Sequence, residues 1–300
     1  MIKPLGIEIK KRTENEIVFD MIGYDVSFAN AIRRILLAEV PTMAIEKVEL
    51  YNNTTVMHDE FLGHRLGLIP IKVDPNFFDF LYAEDEQETE KNTVRFGLYV
   101  TNPLTSKENM MIYSRELKWK PIGDQKTTFE LEPIKPVDDD ILIAKLAPSQ
   151  KIEADLVVRK GTGKDHAKYS PVSGCFYRHL TTFHLNSEYT LDLNEIEKLK
   201  TCFPKGHFRF MGDIIPETGE QVLEPIIVVN DRLDNSSDLT FESCPSLKKK
   251  IIINTSDDIL TFTVESIGII ESSELVLRGI DLLRTKCNRF QKIVSKYKKM

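Results

Sequence analysis

The sequence predicts an α+β fold, and three observations carry that reading. Apolar and polar residues alternate over short runs at the start and through the middle of the chain, the period of half-buried strands. Two short segments near the start carry apolar residues at helical spacing instead. The C-terminal stretch holds a longer apolar repeat of helical type.

In IEIKKRTENEIVFDMIG, Ile7 and Ile9 alternate with polar neighbours, and Ile17, Phe19 and Met21 do the same. Thr13-Glu14-Asn15 lies between the runs as a turn, so a hairpin is expected. SFANAIRRILLAEVP reads as a helix. Ser27 is expected to cap it, because a serine hydroxyl accepts from otherwise orphaned amides. Phe28, Ala31, Ile32, Ile35 and Leu36 share a face, and Pro41 prevents continuation. Arg33 and Arg34 cannot both hide on that face, so at least one guanidinium should point outward. IEKVELYNN reads as a strand through Ile45, Val48 and Leu50. HDEFLGHRLGLIP reads as a second helix, with Asp59 and Glu60 favoured by the positive end of its dipole. Its expected stripe is Phe61, Leu62, Leu66 and Ile69, closed by Pro70.

The acidic run YAEDEQETEKN is expected to be a solvated loop. Strands are then expected in VRFGLYVTN, NMMIYSRELKW and TTFELEP, with Asn102-Pro103 as a turn. Further on lie VDDDILIAKL and KIEADLVVRK, in which Ile152, Ala154, Leu156 and Val158 share one face. Residues 202–250 are turn-rich and take no clear assignment. IIINTSDDILTFTVESIG is read as two strands, followed by a long helix from about Ser272. No repeat or Pro/Gly/Ser-rich linker divides the chain.

That last helix carries the strongest physical signal. Val276, Ile280, Leu283, Cys287, Phe290, Val294 and Tyr297 follow one another in alternating steps of four and three. This is a heptad seam. Ser272 or Ser273 is expected to cap the helix, and Lys292, Lys296, Lys298 and Lys299 gather near its negative end. Packing on the chain's own sheet accounts for a shorter stripe. A seam of this length fits a partner helix at least as well. A membrane surface is a third possibility for a basic, partly apolar helix, but Cys287 within the seam favours protein packing.

Totals narrow the classes. At 300 residues the chain buries a core without staples. A net charge of −6 gives no sign of the basic face that a direct DNA binder uses to neutralise phosphates. Cys175, Cys202, Cys244 and Cys287 are widely spaced, without the paired spacing of a zinc site, and read as small buried hydrophobes in a reducing compartment. The opening MIKPLGIEIKKRTEN lacks the apolar segment of a secretory signal. No run of 18 apolar residues spans a membrane.

Three constellations invite chemistry and do not support it. GTGKD follows a strand, as a phosphate loop would, but Asp165 stands where a hydroxyl is needed after Lys164. No glycine sits five before Gly163. His58 and His64 are six apart, which turns the second imidazole away from the first on a helix. Asp138, Asp139 and Asp140 point in different directions and read as a solvated turn. No cofactor and no catalytic residue is expected.

The segment FANAIRRILLAEVPTMAIEKVELYNNTTVMHDEFLGHRLGLIPI resembles the signature of the alpha-like subunits of cellular RNA polymerases. VVRKGTGKDHAKYSPVSGCFYRHL resembles a second signature of the eukaryotic members, and LTFTVESIGIIESSELVLRGIDLL is similar to the family's closing strand and helix. The three blocks lie in family order. The resemblance implies a discontinuous dimerisation domain, residues 1–50 and 171–300, with an inserted β-rich domain, residues 51–170. It implies a non-catalytic assembly role in the nucleus and nucleolus, supporting transcription of ribosomal and small RNAs. The partner across the seam helix would be a smaller alpha-like subunit. Arg33, Arg34, His64, Arg65, Lys164, Asp165, His166 and Lys168 would face the two largest subunits. Small zinc-bearing subunits would also be partners, and DNA would be met only through the complex.

Two departures bear on the branch. The polymerase II relative carries a four-cysteine zinc loop in the insert and some archaeal relatives carry iron–sulfur cysteines, whereas Val73 to Pro103 here contains no cysteine. That favours the branch shared by polymerases I and III over polymerase II or an archaeal polymerase. Bacterial members add a C-terminal DNA-binding domain that is not expected here. Phe61 and Gly63 differ from the smaller aliphatic residue and the alanine the family pattern has there. The readings from other classes are a stand-alone nucleotide-binding enzyme, suggested by GTGKD, and a direct DNA-binding factor.

Overall fold

Thr13, Glu14 and Asn15 turn the chain between β1 (Gly6–Arg12) and β2 (Glu16–Ile22), and the Thr13 amide donates to the Glu16 carbonyl at 2.8 Å. The structure, a computed structural model, describes residues 5–81, 87–186, 192–202, 208–210, 226–228, 247 and 250–297. After the hairpin come α1 (Val26–Ala38), β3 (Thr42–Asn53), α2 (Asp59–Gly67) and β4 (Ile71–Lys72). The middle holds β5 (Thr93–Thr101), β6 (Met110–Tyr113), β7 (Lys118–Lys120), α3 (Gln125–Thr128), β8 (Lys135–Pro136), β9 (Leu142–Leu146) and β10 (Lys151–Gly161). Next are β11 (Val172–Leu185), α4 (Leu193–Cys202), β12 (Phe208–Phe210) and β13 (Ile226–Val228). The long β14 (Ile251–Ser266) and α5 (Ser272–Tyr297) follow. The α+β class is as expected.

Two compact units are formed. The larger comprises Ile9–Phe19, Val26–Tyr177 and Phe262–Met300; the smaller comprises Met1–Glu8, Asp20–Asp25 and Arg178–Thr261. The larger unit contains an antiparallel sheet of order β3-β10-β5-β7. β10 is its centre: Leu156 pairs with Val48 on one side and with Phe96 on the other. As the alternation predicts, Ile152, Ala154, Leu156 and Val158 are all buried. They pack with Met43, Ile45, Phe96, Leu98, Leu62 and Leu66 in one core. Truncating any of the leucines to alanine is worth about 2–5 kcal/mol. Strands β1, β2, β14 and β11 form a second four-stranded sheet, in that order. β1 is at its edge, so Ile7 and Ile9 stay exposed.

In the smaller unit, buried Asp20 accepts from the Thr261 hydroxyl at 2.8 Å. On α4, Glu195 pairs with Lys250 at 2.7 Å, and Leu199 is buried. β12 and β13 form a short antiparallel pair; most of the turn-rich 202–250 region lies outside the described residues.

Several expectations need correction. Helix α1 starts at Val26, so Ser27 lies within its first turn rather than capping it. TTFELEP is not a strand. The buried Gln125 amide donates to the carbonyls of Thr93 at 2.7 Å and Glu90 at 2.8 Å, and this fixes the short α3 instead. IIINTSDDILTFTVES is a single strand rather than two. Of the acidic run, residues 82–86 lie outside the described residues. The rest is tied down: Glu88 pairs with Arg95 at 2.6 Å, and Glu90 accepts from the Asp124 amide at 2.8 Å. Ser272 does not cap α5. Its hydroxyl donates to the Thr13 carbonyl at 2.8 Å and its amide to the Glu14 carbonyl at 2.9 Å, fastening the helix to the β1–β2 turn.

Candidate partner interfaces

Helix α5 has two halves of different character. Ser272, Leu275, Val276 and Gly279 are buried. Gly279 lies against Leu36 of α1, where a β-carbon would come within 2.7 Å of the leucine's Cδ2. Lys286 then reaches Glu39, just past the end of α1, at 2.7 Å. From Arg284 onward every described residue is exposed. The seam follows this division. Val276 is 9% exposed, whereas Phe290 is 69% and Tyr297 74% exposed. Ile280 and Val294 are exposed, Leu283 is half-buried and Cys287 is exposed. A straight helix drifts about 20° per heptad. Val276, Leu283, Phe290 and Tyr297 therefore swing toward the line of Gly279, and Ile293 joins the exposed stripe. Beyond the Lys286–Glu39 pair, the distal half of α5 is thus an amphipathic surface whose described residues are all exposed.

A second assembly is built by α2, β3 and the loop after β10. The loop KGTGKDHAKY is shaped by two close approaches. The Tyr169 ring lies over Gly161, and Gly163 lies so near α1 that a β-carbon would sit 2.2 Å from the Leu37 carbonyl oxygen. The Lys164 amide donates to the Ala38 carbonyl at 2.8 Å and so satisfies an orphan acceptor at the end of α1. That amide is therefore committed to the fold. Asp165 closes the turn by accepting from the Thr162 amide at 3.2 Å and hydroxyl at 2.8 Å. Lys164, Asp165 and His166 are all exposed.

The predicted docking residues meet here across a long sequence separation. His64 of α2 and His166 and Lys168 of the loop line one cavity of about 270 Å³ with Glu46, Gly63 and Leu68. Glu46 pairs with Lys168 and accepts from the Tyr169 phenol at 2.7 Å. Burial alone would raise the Glu46 carboxyl, but those two hydrogen bonds outweigh it and hold it below the ordinary carboxylate value. Burial and the neighbouring carboxylate push the Tyr169 phenol up.

The remaining predicted residues divide. Arg34 is exposed, whereas half-buried Arg33 donates to Asn30 Oδ1 at 2.9 Å. Arg65 lies at the surface, but its guanidinium reaches the carbonyls of Ile143 at 3.1 Å and Leu142 at 2.6 Å, tying α2 to β9. The expected α2 stripe was one residue too wide. Leu62, Leu66 and Ile69 are buried, while Phe61 is 66% exposed. Phe61 and Leu68 therefore add apolar surface beside His64, which the stripe reading missed. Their offset by one position from the buried Leu62 and Ile69 was the available signal. Glu46 and Tyr169 were also missed, since their pairing joins segments over a hundred residues apart. Phe28 of α1 lies exposed rather than on the buried face. Among the described residues, no three His, Cys, Asp or Glu side chains come together to hold a metal ion.

A family model described as the RNA polymerase Rpb3/Rpb11 dimerisation domain matches residues 18–287. The subunit RPAC1 of DNA-directed RNA polymerases I and III from Homo sapiens is 41% identical over 96% of this chain and 84% of its own length. The DNA-directed RNA polymerase subunit Rpo3 of Methanothermobacter thermautotrophicus is 31% identical over 95% and 97%. Subunit 3 of DNA-directed RNA polymerases II, IV and V from Arabidopsis thaliana is 29% identical over 93% and 88%.

Proposed function

Because the chain belongs to the RNA polymerase Rpb3/Rpb11 dimerisation family of alpha-like subunits, we propose that it is the larger alpha-like subunit of RNA polymerases I and III and acts there as a non-catalytic scaffold. Identity of 41% to the polymerase I and III relative, against 31% and 29% to the archaeal and polymerase II, IV and V relatives, supports the branch. Its place of work is the nucleus, and by the same reading the nucleolus.

One observation carries the assembly role: the exposed apolar half of α5, rooted by a buried first half. Ile280, Leu283, Cys287, Phe290, Val294 and Tyr297 receive a helix of the smaller alpha-like subunit, with Val276 at the root. Such a seam is stabilised by burial of apolar area, each fully covered large side chain being worth about 1.5–3 kcal/mol. Residues 1–50 and 171–300 serve as the dimerisation region and 51–170 as the insert. Arg33, Arg34, His64, Arg65, Lys164, Asp165, His166 and Lys168, with Phe61 and Leu68, mark the face offered to the two largest subunits. Arginine suits such a face because its planar fork pairs with carboxylates bidentately. Small zinc-bearing subunits complete the set of partners, and DNA is met through the complex.

Truncation before Leu283 tests this. It removes Leu283, Cys287, Phe290, Val294 and Tyr297 but keeps the buried Ser272, Leu275, Val276 and Gly279. The truncated chain should stay folded and fail to co-purify with the smaller subunit. Co-purification at the full-length yield would refute the seam assignment.

A further inference from the structure

The larger unit contains a groove that belongs neither to the seam of α5 nor to the face around His64. It lies between residues 72–77, 128–132 and the segment 269–278 that leads into α5, and its volume is about 490 Å³. Its floor is apolar, with Val73, Ile269 and Ile270 buried beneath it. One wall is aromatic and fixed. The Phe129 ring meets Phe77 edge-on at 5.4 Å, stacks on Phe78 at 5.9 Å and takes the edge of Trp119 at 6.3 Å. A ring held on three sides loses little freedom when something packs on it, which removes a usual cost of binding. At the mouth, Leu131 is fully exposed and Phe77 is exposed. Two large exposed apolar side chains lining one groove mark a contact surface.

The rim decides what fits. Four carboxylates, Asp74, Glu132, Glu271 and Glu274, line the groove against two cations, Lys72 and Arg278. Both cations are already engaged within it. Lys72 pairs with Glu132 at 3.1 Å, and Arg278 pairs with Asp74 at 3.1 Å and Glu274 at 2.9 Å. Glu271 is engaged as well, by Arg12 from outside the lining at 3.2 Å, so the groove keeps a surplus of one carboxylate, and neither lining cation is available to an incoming anion. A nucleotide or an acidic peptide meets repulsion here. A large apolar side chain flanked by lysine or arginine meets an apolar floor and carboxylates on each side.

We propose that this groove docks a basic segment of another polymerase subunit, which inserts one large apolar or aromatic side chain against Phe129 and Leu131. Side chains of that type in a desolvated, rigid pocket dominate interface energies, with the charged rim contributing mainly orientation and encounter rate.

The test uses the full chain in its assembled complex. The photo-crosslinking residue p-benzoylphenylalanine replaces Leu131 in one variant and Phe290 in a second, and adducts from the purified assembly are sequenced by mass spectrometry. Position 290 reports on the dimer seam and position 131 on the groove, so failure of one is distinguishable from failure of the other. The expected adduct at 131 is one segment of another subunit with an apolar residue flanked by lysine or arginine. Adding Glu132→Lys, a charge reversal at an exposed rim position, should lower its yield by about twofold to fivefold, the effect of one exposed charge pair. Asp139→Lys, on the exposed turn elsewhere, should not. An adduct to an acidic segment, to a second copy of this chain, or none at 131 would overturn the proposal. So would a yield indifferent to Glu132→Lys.

Discussion

Gly163 can carry only hydrogen on its α-carbon, because backbone rather than a flexible side chain stands in the way. The Leu37 carbonyl oxygen would lie 2.2 Å from any β-carbon there. Gly163→Ala must therefore push the loop off α1, at a cost of about 1–3 kcal/mol in urea unfolding. An unchanged midpoint would show that the loop yields freely. The cysteines give a second residue-scale prediction. Burial pushes the Cys175 thiol up to about 12, so little thiolate exists there at neutral pH. Cys287 is exposed on α5. Iodoacetamide at neutral pH should modify Cys287 far faster than Cys175, and the smaller subunit should protect Cys287. Equal rates with and without that subunit would place the thiol outside the interface. From sequence, GTGKD was legible as a failed phosphate loop and, through the resemblance, as part of a docking loop. Its structural purpose was hidden, because the acceptor it serves sits on α1, far away along the chain.

At the scale of elements, the join between α1 and α5 is where stability and assembly meet. Glycine inside a helix costs about 0.5–1 kcal/mol relative to alanine, and one contact offsets that cost at Gly279. It lets α5 approach buried Leu36 of α1 closely. Gly279→Leu should force the helices apart, destabilise the chain by about 1–3 kcal/mol and weaken the heterodimer in the same variant. A stable fold with full dimerisation would dissociate the two. Element α5 was readable in advance because its period is long and regular. The strand through β10 was readable for the same reason, with Ile152, Ala154, Leu156 and Val158 on one face. TTFELEP was misread as a strand and IIINTSDDILTFTVESIG as two strands, since local propensity there is overridden. Buried Gln125 spends its amide on the Thr93 and Glu90 carbonyls, and β14 continues through Asp257 and Asp258 as one of the inner strands of its sheet. Neither partner is visible to a window of ten residues.

For the whole molecule, two kinds of surface predict two responses to salt. The seam is apolar, whereas the face around Arg34, Lys164, His166 and Lys168 is charged. Raising NaCl from 0.1 to 1 M shortens the screening length from about 10 Å to 3 Å and leaves apolar burial intact. On size exclusion, the heterodimer should survive 1 M salt, while attachment of the largest subunits weakens first. The reverse order would exchange the roles assigned to the two faces. The broad design was legible in the sequence: an opening hairpin, a strand-rich middle and a long closing helix. The cavity joining His64 to His166 and Lys168 was not, because it exists only after segments a hundred residues apart have come together.

The tether between Ser272 and the Thr13–Glu14 turn spans 259 positions of sequence. Closing so long a loop costs entropy that grows as the logarithm of its length, and contacts of this kind form late. A nascent chain on the ribosome can complete its hairpin and α1 early, yet it has no root for α5 until residues 272–279 have emerged and turned back. If α5 docks the smaller subunit as proposed, its capture is deferred until synthesis has passed that point, and assembly then selects for chains whose distant ends have already found one another.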